Sequence, residues 1–430
     1  MEKLIVRGPA VLKGEIRING AKNSALPIIP AAILADSPIT LENIPGIEDI
    51  KMQIKIIESM GARVAWIGGN SIRIDPSGIK PVTPPYELVK KLRASYYLLG
   101  VMLARFGRGK VPVPGGCDLG PRPIDQHIKG LSSLGADIRQ NHGVVEMRAK
   151  LAGNKVYLDV VSVGATINIM LAAVLAPGRT VIENCAKEPE IVDLASFLNA
   201  MGGQVRGAGT DVIKIDGVKS LQGTSYSIIP DRIETGTYML AVAATGGKVL
   251  LKNVIPKHMD PVIAKLKEVG AVVEVGEDTI SVECSTKPLQ SVDVKTFPYP
   301  GYPTDLQSMM TVLLTQTRGT GIITENIFEA RFRHVGELKR MGADIKVEGR
   351  SAVIRGGVPL TACPIKATDL RAGAACAVAG LVAEGVTEVS GVEHIDRGYD
   401  CFEARLQSLG AEVFRIPDSQ KIYAVPNRGA

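Results

Sequence analysis

Apolar residues recur along this chain in one arrangement, six times over. The segments IIESMGA, LSSLGA, LNAMGG, LKEVGA, LKRMGA and LQSLGA end on Gly61, Gly135, Gly202, Gly270, Gly342 and Gly410. These glycines are 74, 67, 68, 72 and 68 residues apart. Four positions before each glycine stands Ile57, Leu131, Leu198, Leu266, Leu338 or Leu406, and another apolar residue precedes it directly. Apolar positions three apart share a helix face, and a glycine past the last turn takes the left-handed cap conformation. Short β-rich stretches such as ARVAWI and AVVEVG follow. The unit therefore predicts a helix, a glycine cap and then strands.

A second landmark keeps step with the first. Ala- or Leu-rich helical stretches end near Ser37, Gly109, Gly178, Gly247, Gly319 and Gly385, and ITLEN, KVPVPGG, TVIENC, KVLLKN, GIITEN and TEVSGV follow them as β-like segments. Each unit of about 70 residues thus holds two helices and several strands. Such a unit is too small to stand comfortably alone, so three closing on themselves make a domain and six make two. Ala-rich helices pack closely and can be buried all round. The expected architecture is α/β, with helices inside and sheets outside, in two similar lobes flanking a cleft. An open solenoid is the weaker alternative, because no capping repeats are evident. Repeat spacing alone divides the chain near residue 217. Parallel inner helices would gather their N-termini, and partial positive charge, at one edge. The residues at those starts are polar: Lys22 and Asn23, Arg93, Arg232 with Glu234, Asp305, and Asp369 with Arg371.

Composition narrows the chemistry. The 430 residues carry 50 Lys and Arg against 44 Asp and Glu, a net charge of +6. That suits small anionic substrates but is too diffuse for nucleic acid, and only 4% of residues are aromatic, too few for a base-stacking platform. The longest uncharged apolar run, Ala372 to Ala383, is too short to span a bilayer, and the N-terminus lacks the apolar core of a signal peptide. A cytosolic location is expected. The six cysteines, at 117, 185, 284, 363, 376 and 401, show no CxxC spacing and read as free thiols. No HExxH, P-loop or GxGxxG occurs, so neither metal nor nucleotide cofactor has support.

Several segments carry candidate chemistry. In GAKNSALP, Asn23 or Ser24 can cap the first helix, but Lys22 beside a helix N-terminus is better explained by an anion between them. PGGCDLGPRPID is a Gly/Pro loop with Cys117 at its centre, a poor place to bury a thiol, and Arg122 can stabilise a thiolate or bind an anion. Asp305 or Thr304 in YPTDLQS and Asp369 in KATDLR read first as helix caps, the last paired with Arg371. Arg331 in FEARF and Arg397 in HIDRG follow strands in units five and six. Each arginine alone is an ordinary surface charge; together with Lys22 and Arg122 they fall at corresponding edges of different repeats.

These segments, with the RAS of Arg93, SVGAT, EPEIVD, PDRIETGT and HIDRGY, resemble in order and over nearly the whole chain the motifs of the UDP-N-acetylglucosamine 1-carboxyvinyltransferases. The Cys loop separates this family from the related shikimate-phosphate enolpyruvyl transferases, which lack it. The resemblance implies a two-lobed inside-out α/β barrel with three units per lobe: residues 22–229 form one lobe, residues 1–21 with 230–430 the other. It implies transfer of an enolpyruvyl group from phosphoenolpyruvate to the 3′-hydroxyl of UDP-N-acetylglucosamine, with no metal or organic cofactor, in a cytoplasmic monomer with no nucleic-acid or membrane partner. By similarity Cys117 is the acid and Asp305 the base. Lys22, Arg122 and Arg397 hold the phosphate, Arg331 and Arg371 the carboxylate, and Asn23 and Asp369 order the site. The sugar nucleotide lies along Arg93, Arg122, Pro123, Ile124, Asp125, Gln126, Val160, Val161, Ser162, Val163, Asp305 and Ile327. Two departures stand out: Glu48 and Val160 occupy positions where relatives often, or in some cases, carry Lys. The family also implies alkylation of Cys117 by the epoxide fosfomycin.

Overall fold

A computed structural model describes residues 2–114, 123–284 and 288–420. All six repeats form. In the first five an inner helix, a strand, an outer helix and a β-hairpin follow one another; in the sixth, one strand of the last pair comes from the start of the chain. The inner helices are Lys22–Ala31, Leu98–Phe106, Val163–Ala173, Arg232–Thr245, Gln307–Thr315 and Leu370–Val382. The last of them, LRAGAACAVAGLV, shows why: small side chains leave no face that must meet water, and it is buried from Arg371 to Leu381.

The outer helices end as the pattern requires. Gly61, Gly135, Gly202, Gly270, Gly342 and Gly410 all have positive φ, from 90° to 106°. The Ile or Leu four residues earlier is fully buried in every unit. The hairpin strands alternate as half-buried sheets do: Ile39 and Leu41 lie opposite Ile74 and Ile72, all buried, with polar residues between. After three of the central strands, Asn43, Asn184 and Asn253 take the left-handed conformation, and each side-chain amide donates to a neighbouring carbonyl, of Ile228, Leu158 and Ile18. The second sheet has three strands among the described residues, where the others have four.

The chain exchanges strands between its halves. Glu2–Gly8 inserts between Gly385–Ser390 and Glu412–Pro417 of the sixth unit. Lys13–Arg17 runs parallel to Lys248–Lys252 of the fourth. Ser225–Ser227 runs parallel to Ile39–Glu42 of the first. Two separate cores result: one draws on Leu4–Ile18 and Ile233–Val413, the other on Ala21–Ile228. The two crossing segments lie side by side, with Ala21 N donating to Ile229 O at 2.7 Å and Asp231 N to Asn19 O at 2.8 Å. Among the described residues no helix is long and apolar enough to cross a membrane.

Candidate active site

Where the two cores meet, charged side chains from both converge. Lys22 opens its helix, but neither Asn23 nor Ser24 caps it; the N-cap is Ala21, whose side chain has no acceptor to offer. Instead Asp231, from the other core's side of the crossing, accepts the Lys22 N–H at 3.0 Å. The Lys22 ammonium meets Asp49 at 2.7 Å, and Asp49 also receives Arg397 at 2.9 Å. The anion that the sequence calls for at Lys22 is thus, in this state, a carboxylate of the protein. Burial pulls the Lys22 pKa down, Arg371 and Arg397 push the same way, and Asp49 opposes them. Burial works against ionising Asp49, but Lys22 and Arg397 outweigh it and hold its pKa below the usual range.

Asp305 lies in the 3₁₀ turn Thr304–Leu306, where the cap position is Pro303 and no side chain caps. Its role is ionic. Arg331 reaches Oδ1 at 2.8 Å, and Arg371 reaches Oδ2 at 3.0 and 3.3 Å. Burial opposes the charge on Asp305, yet Arg371, Arg331 and Arg232 together keep it ionised far below the ordinary carboxylate range. Asp369 is a helix cap, as its sequence context predicts, accepting from Arg371 N at 2.9 Å and Ala372 N at 3.0 Å. It thereby sets Arg371 at the start of the sixth inner helix, where the guanidinium stands 5.4 Å from the Tyr399 ring centre.

Most of the described residues expected along the nucleotide belong to the first lobe. Gln126 donates to Asp125 at 2.8 Å and Asp159 at 3.3 Å, and accepts from Asp159 N at 3.0 Å. This draws Asp125 and Gln126 against the turn leading to Val160, Val161, Ser162 and Val163. Ser162 caps the third inner helix, and Val160 and Val161 stay exposed. Arg93 stacks on Tyr96 at 5.5 Å. Next to them, burial pulls the His127 pKa down to about 4, so its Nδ1 accepts from Asn168 at 2.8 Å. Pro123 is exposed and Ile124 buried. On the second lobe, Ile327 has its N–H held by Glu325 at 2.8 Å. Cys117 and Arg122 lie outside the described residues.

The sequence model of the EPSP synthase (3-phosphoshikimate 1-carboxyvinyltransferase) family matches residues 6–406. A protein of Caldanaerobacter subterraneus named UDP-N-acetylglucosamine 1-carboxyvinyltransferase 3 is 55% identical over 97% of this chain and 100% of its own. The Bacillus subtilis protein named UDP-N-acetylglucosamine 1-carboxyvinyltransferase 2 is 54% identical over 96% of this chain and 97% of its own. The chain belongs to the UDP-N-acetylglucosamine 1-carboxyvinyltransferase family. Among solved structures, the enolpyruvyl transferase NikO of Streptomyces tendae matches with a TM-score of 0.88 at 25% identity, covering 96% of this chain and 98% of its own. An EPSP synthase of Acinetobacter baumannii, 19% identical, shares the fold with a TM-score of 0.75, over 97% and 100% of the two chains.

For a member of this family the structure adds residues to which sequence reasoning gave no part in the site, Arg232 among them although it was placed at a helix start. Asp49 joins Lys22 to Arg397. Arg232 pairs with Glu190 across the lobes at 3.0 Å, both nearly buried, and adds its charge to Asp305. Tyr97 lies within electrostatic reach of both Glu190 and Arg93. Glu325 accepts from Thr304 at 2.9 Å, Ile327 N and Phe328 N, tying the Asp305 turn to the loop that carries Arg331. The Glu-Asn pairs that begin at 42, 183 and 325 are visible as a repeat, but only the fold gives Glu325 this work. Glu48 sits on the surface beside Lys51, and its N–H reaches Asp396 O at 3.0 Å across the lobes.

Proposed function

We propose that this chain transfers the enolpyruvyl group of phosphoenolpyruvate to the 3′-hydroxyl of UDP-N-acetylglucosamine, releasing phosphate, as the first committed step of peptidoglycan synthesis. The relatives named for that transferase, 54–56% identical over nearly the full chain, carry the choice of acceptor. The observation that carries the site is the meeting of Lys22, Arg232, Arg331, Arg371 and Arg397 around two carboxylates, Asp49 and Asp305. A small substrate bearing both a phosphate and a carboxylate needs such a cationic, water-poor centre.

The reaction is addition followed by elimination. In this reading Cys117 gives a proton to C3 of the enol, which makes C2 electrophilic. The sugar oxygen attacks C2 as Asp305 takes its proton, and a tetrahedral phospho-ketal forms. Loss of a C3 proton and of phosphate restores the double bond. Lys22, Arg122 and Arg397 hold the phosphate, and Arg331 with Arg371 the carboxylate, while Asn23 and Asp369 order the site. Asp305 is a poor base while two arginines hold it. The substrate carboxylate, by drawing Arg331 and Arg371 to itself, would return Asp305 toward ordinary basicity.

The sugar nucleotide lies along Arg93, Arg122 to Gln126, Val160 to Val163 and Ile327, with the exposed valines offering apolar surface to the base. The lobes are residues 22–229 and residues 1–21 with 230–430, a division supported by the two cores. The lobes close on the nucleotide. The chain acts in the cytoplasm as a monomer. The test is phosphate release from phosphoenolpyruvate by the parent and by Cys117→Ser. Release by the parent that requires UDP-N-acetylglucosamine, and is abolished or strongly slowed in the variant, is expected. Release with shikimate 3-phosphate instead, or nucleotide binding without release, would overturn the reading.

A further inference from the structure

We infer that Asp231 is a positioning residue that registers Lys22 against the second lobe. The inference deepens the proposed activity and rests on it for its kinetic arm. Asp231 lies in the second of the two crossings, next to Pro230, which bridges to Gly20, and is buried. Its Oδ1 accepts from Ile233 N at 2.7 Å and Glu234 N at 3.0 Å, capping the helix Arg232–Thr245. Its Oδ2 accepts from Lys22 N at 3.0 Å, at the start of the helix Lys22–Ala31. One carboxylate therefore caps two helices that belong to different cores.

An ordinary cap serves its own helix, and Asp231 does so through Oδ1. The second bond has no local equivalent. Lys22 is the first residue of its helix, so its N–H has no intrahelical acceptor and is met instead by a residue 209 positions away. Gly20 lets the chain pass close to Asn43: a Cβ there would sit 1.6 Å from Asn43 O. The position of Lys22 relative to the second lobe is set at this contact. Asp231 also lies within electrostatic reach of Arg371. Its carboxylate is taken up by the backbone amides of Lys22, Ile233 and Glu234, so it acts through the residues it positions.

The variant Asp231→Ser separates the two roles. Serine caps its own helix about as well as aspartate but is too short to serve the second one. Hydrogen exchange and steady-state kinetics are read together. Exchange at the amides of residues 22–25 should rise at least about tenfold, with residues 233–235 changing less than about threefold. KM for phosphoenolpyruvate should rise at least about tenfold, while KM for UDP-N-acetylglucosamine moves less than about threefold. Unchanged exchange at residues 22–25 would overturn the inference. So would exchange rising across both lobes, or both KM values rising together, either of which marks a merely structural cap. Should the serine variant fail to fold, Asp231→Asn is read the same way, since its Oδ1 keeps the cap on Ile233 and Glu234 and its amide sets a donor against the Lys22 N–H. Should the parent lack turnover, the proposed activity fails, and the exchange result with the calorimetric Kd for phosphoenolpyruvate still judges Asp231.

Discussion

Replacing Asp49 by Asn removes a carboxylate that joins Lys22 to Arg397. Lys22 is buried, and burial with the nearby arginines already lowers its pKa; Asp49 is the charge that raises it. The variant must therefore lose the Lys22 proton at lower pH than the parent. At the observed separation of 2.7 Å, and an effective dielectric of about 20, the attraction is about 6 kcal/mol, equivalent to about four pH units before compensation. Arg397 shares the Asp49 charge, and water entering beside Asn offsets part of the loss. A displacement of at least about one pH unit, or about 1.4 kcal/mol, should remain. The assay is kcat/KM for phosphoenolpyruvate against pH, which reports groups of the free enzyme. Only protonated Lys22 binds the phosphate well, so the alkaline limb should move to lower pH in Asp49→Asn. A limb that stays in place, or moves to higher pH, would refute the assignment of Lys22 as the titrating cation.

Burial raises the Asp193 pKa to about 6, with Tyr226 partly offsetting it. The folded protein therefore binds the extra proton, and this stability is full below the unfolded pKa and lost as pH rises through about 6. Asp193→Asn should remove that slope, shifting the unfolding free energy toward the variant by about 3 kcal/mol between pH 3 and pH 7, read from urea midpoints; an unchanged difference would refute it. Gly270→Ala should cost about 1–2 kcal/mol, because φ is +101° but no atom lies near the new Cβ. Gly61→Ala should cost more, since its Cβ would sit 2.2 Å from Gly78 O, and equal losses in calorimetry would show that conformation alone decides. Arg371→Lys gives up one of two contacts to Asp305 and the stacking on Tyr399. A fall in kcat/KM for phosphoenolpyruvate of about tenfold or more is expected, with a smaller change marking Arg371 as a spectator.

The sequence by itself determined the repeating unit. Six glycines with positive φ and six buried Ile or Leu residues follow from neighbours within one helical turn, and such spacing is written locally. The cationic edge was legible for the same reason: Lys22 and Arg371 sit at helix starts that the repeat locates. Asp369 proved to be the cap its context implies, whereas Asn23, Ser24 and Asp305 did not cap. Tertiary structure alone decided which charges meet. Asp49 finds Arg397 across 348 residues, Arg371 finds Asp305 across 66, and Glu2–Gly8 joins a sheet near the far end of the chain. Repeat spacing alone cuts near residue 217, and the crossings lie elsewhere because a strand's partner is chosen by the edge left open to it. Period and propensity act over a few residues; the pairing of buried charges depends on how two finished lobes dock, and no local pattern encodes that distance.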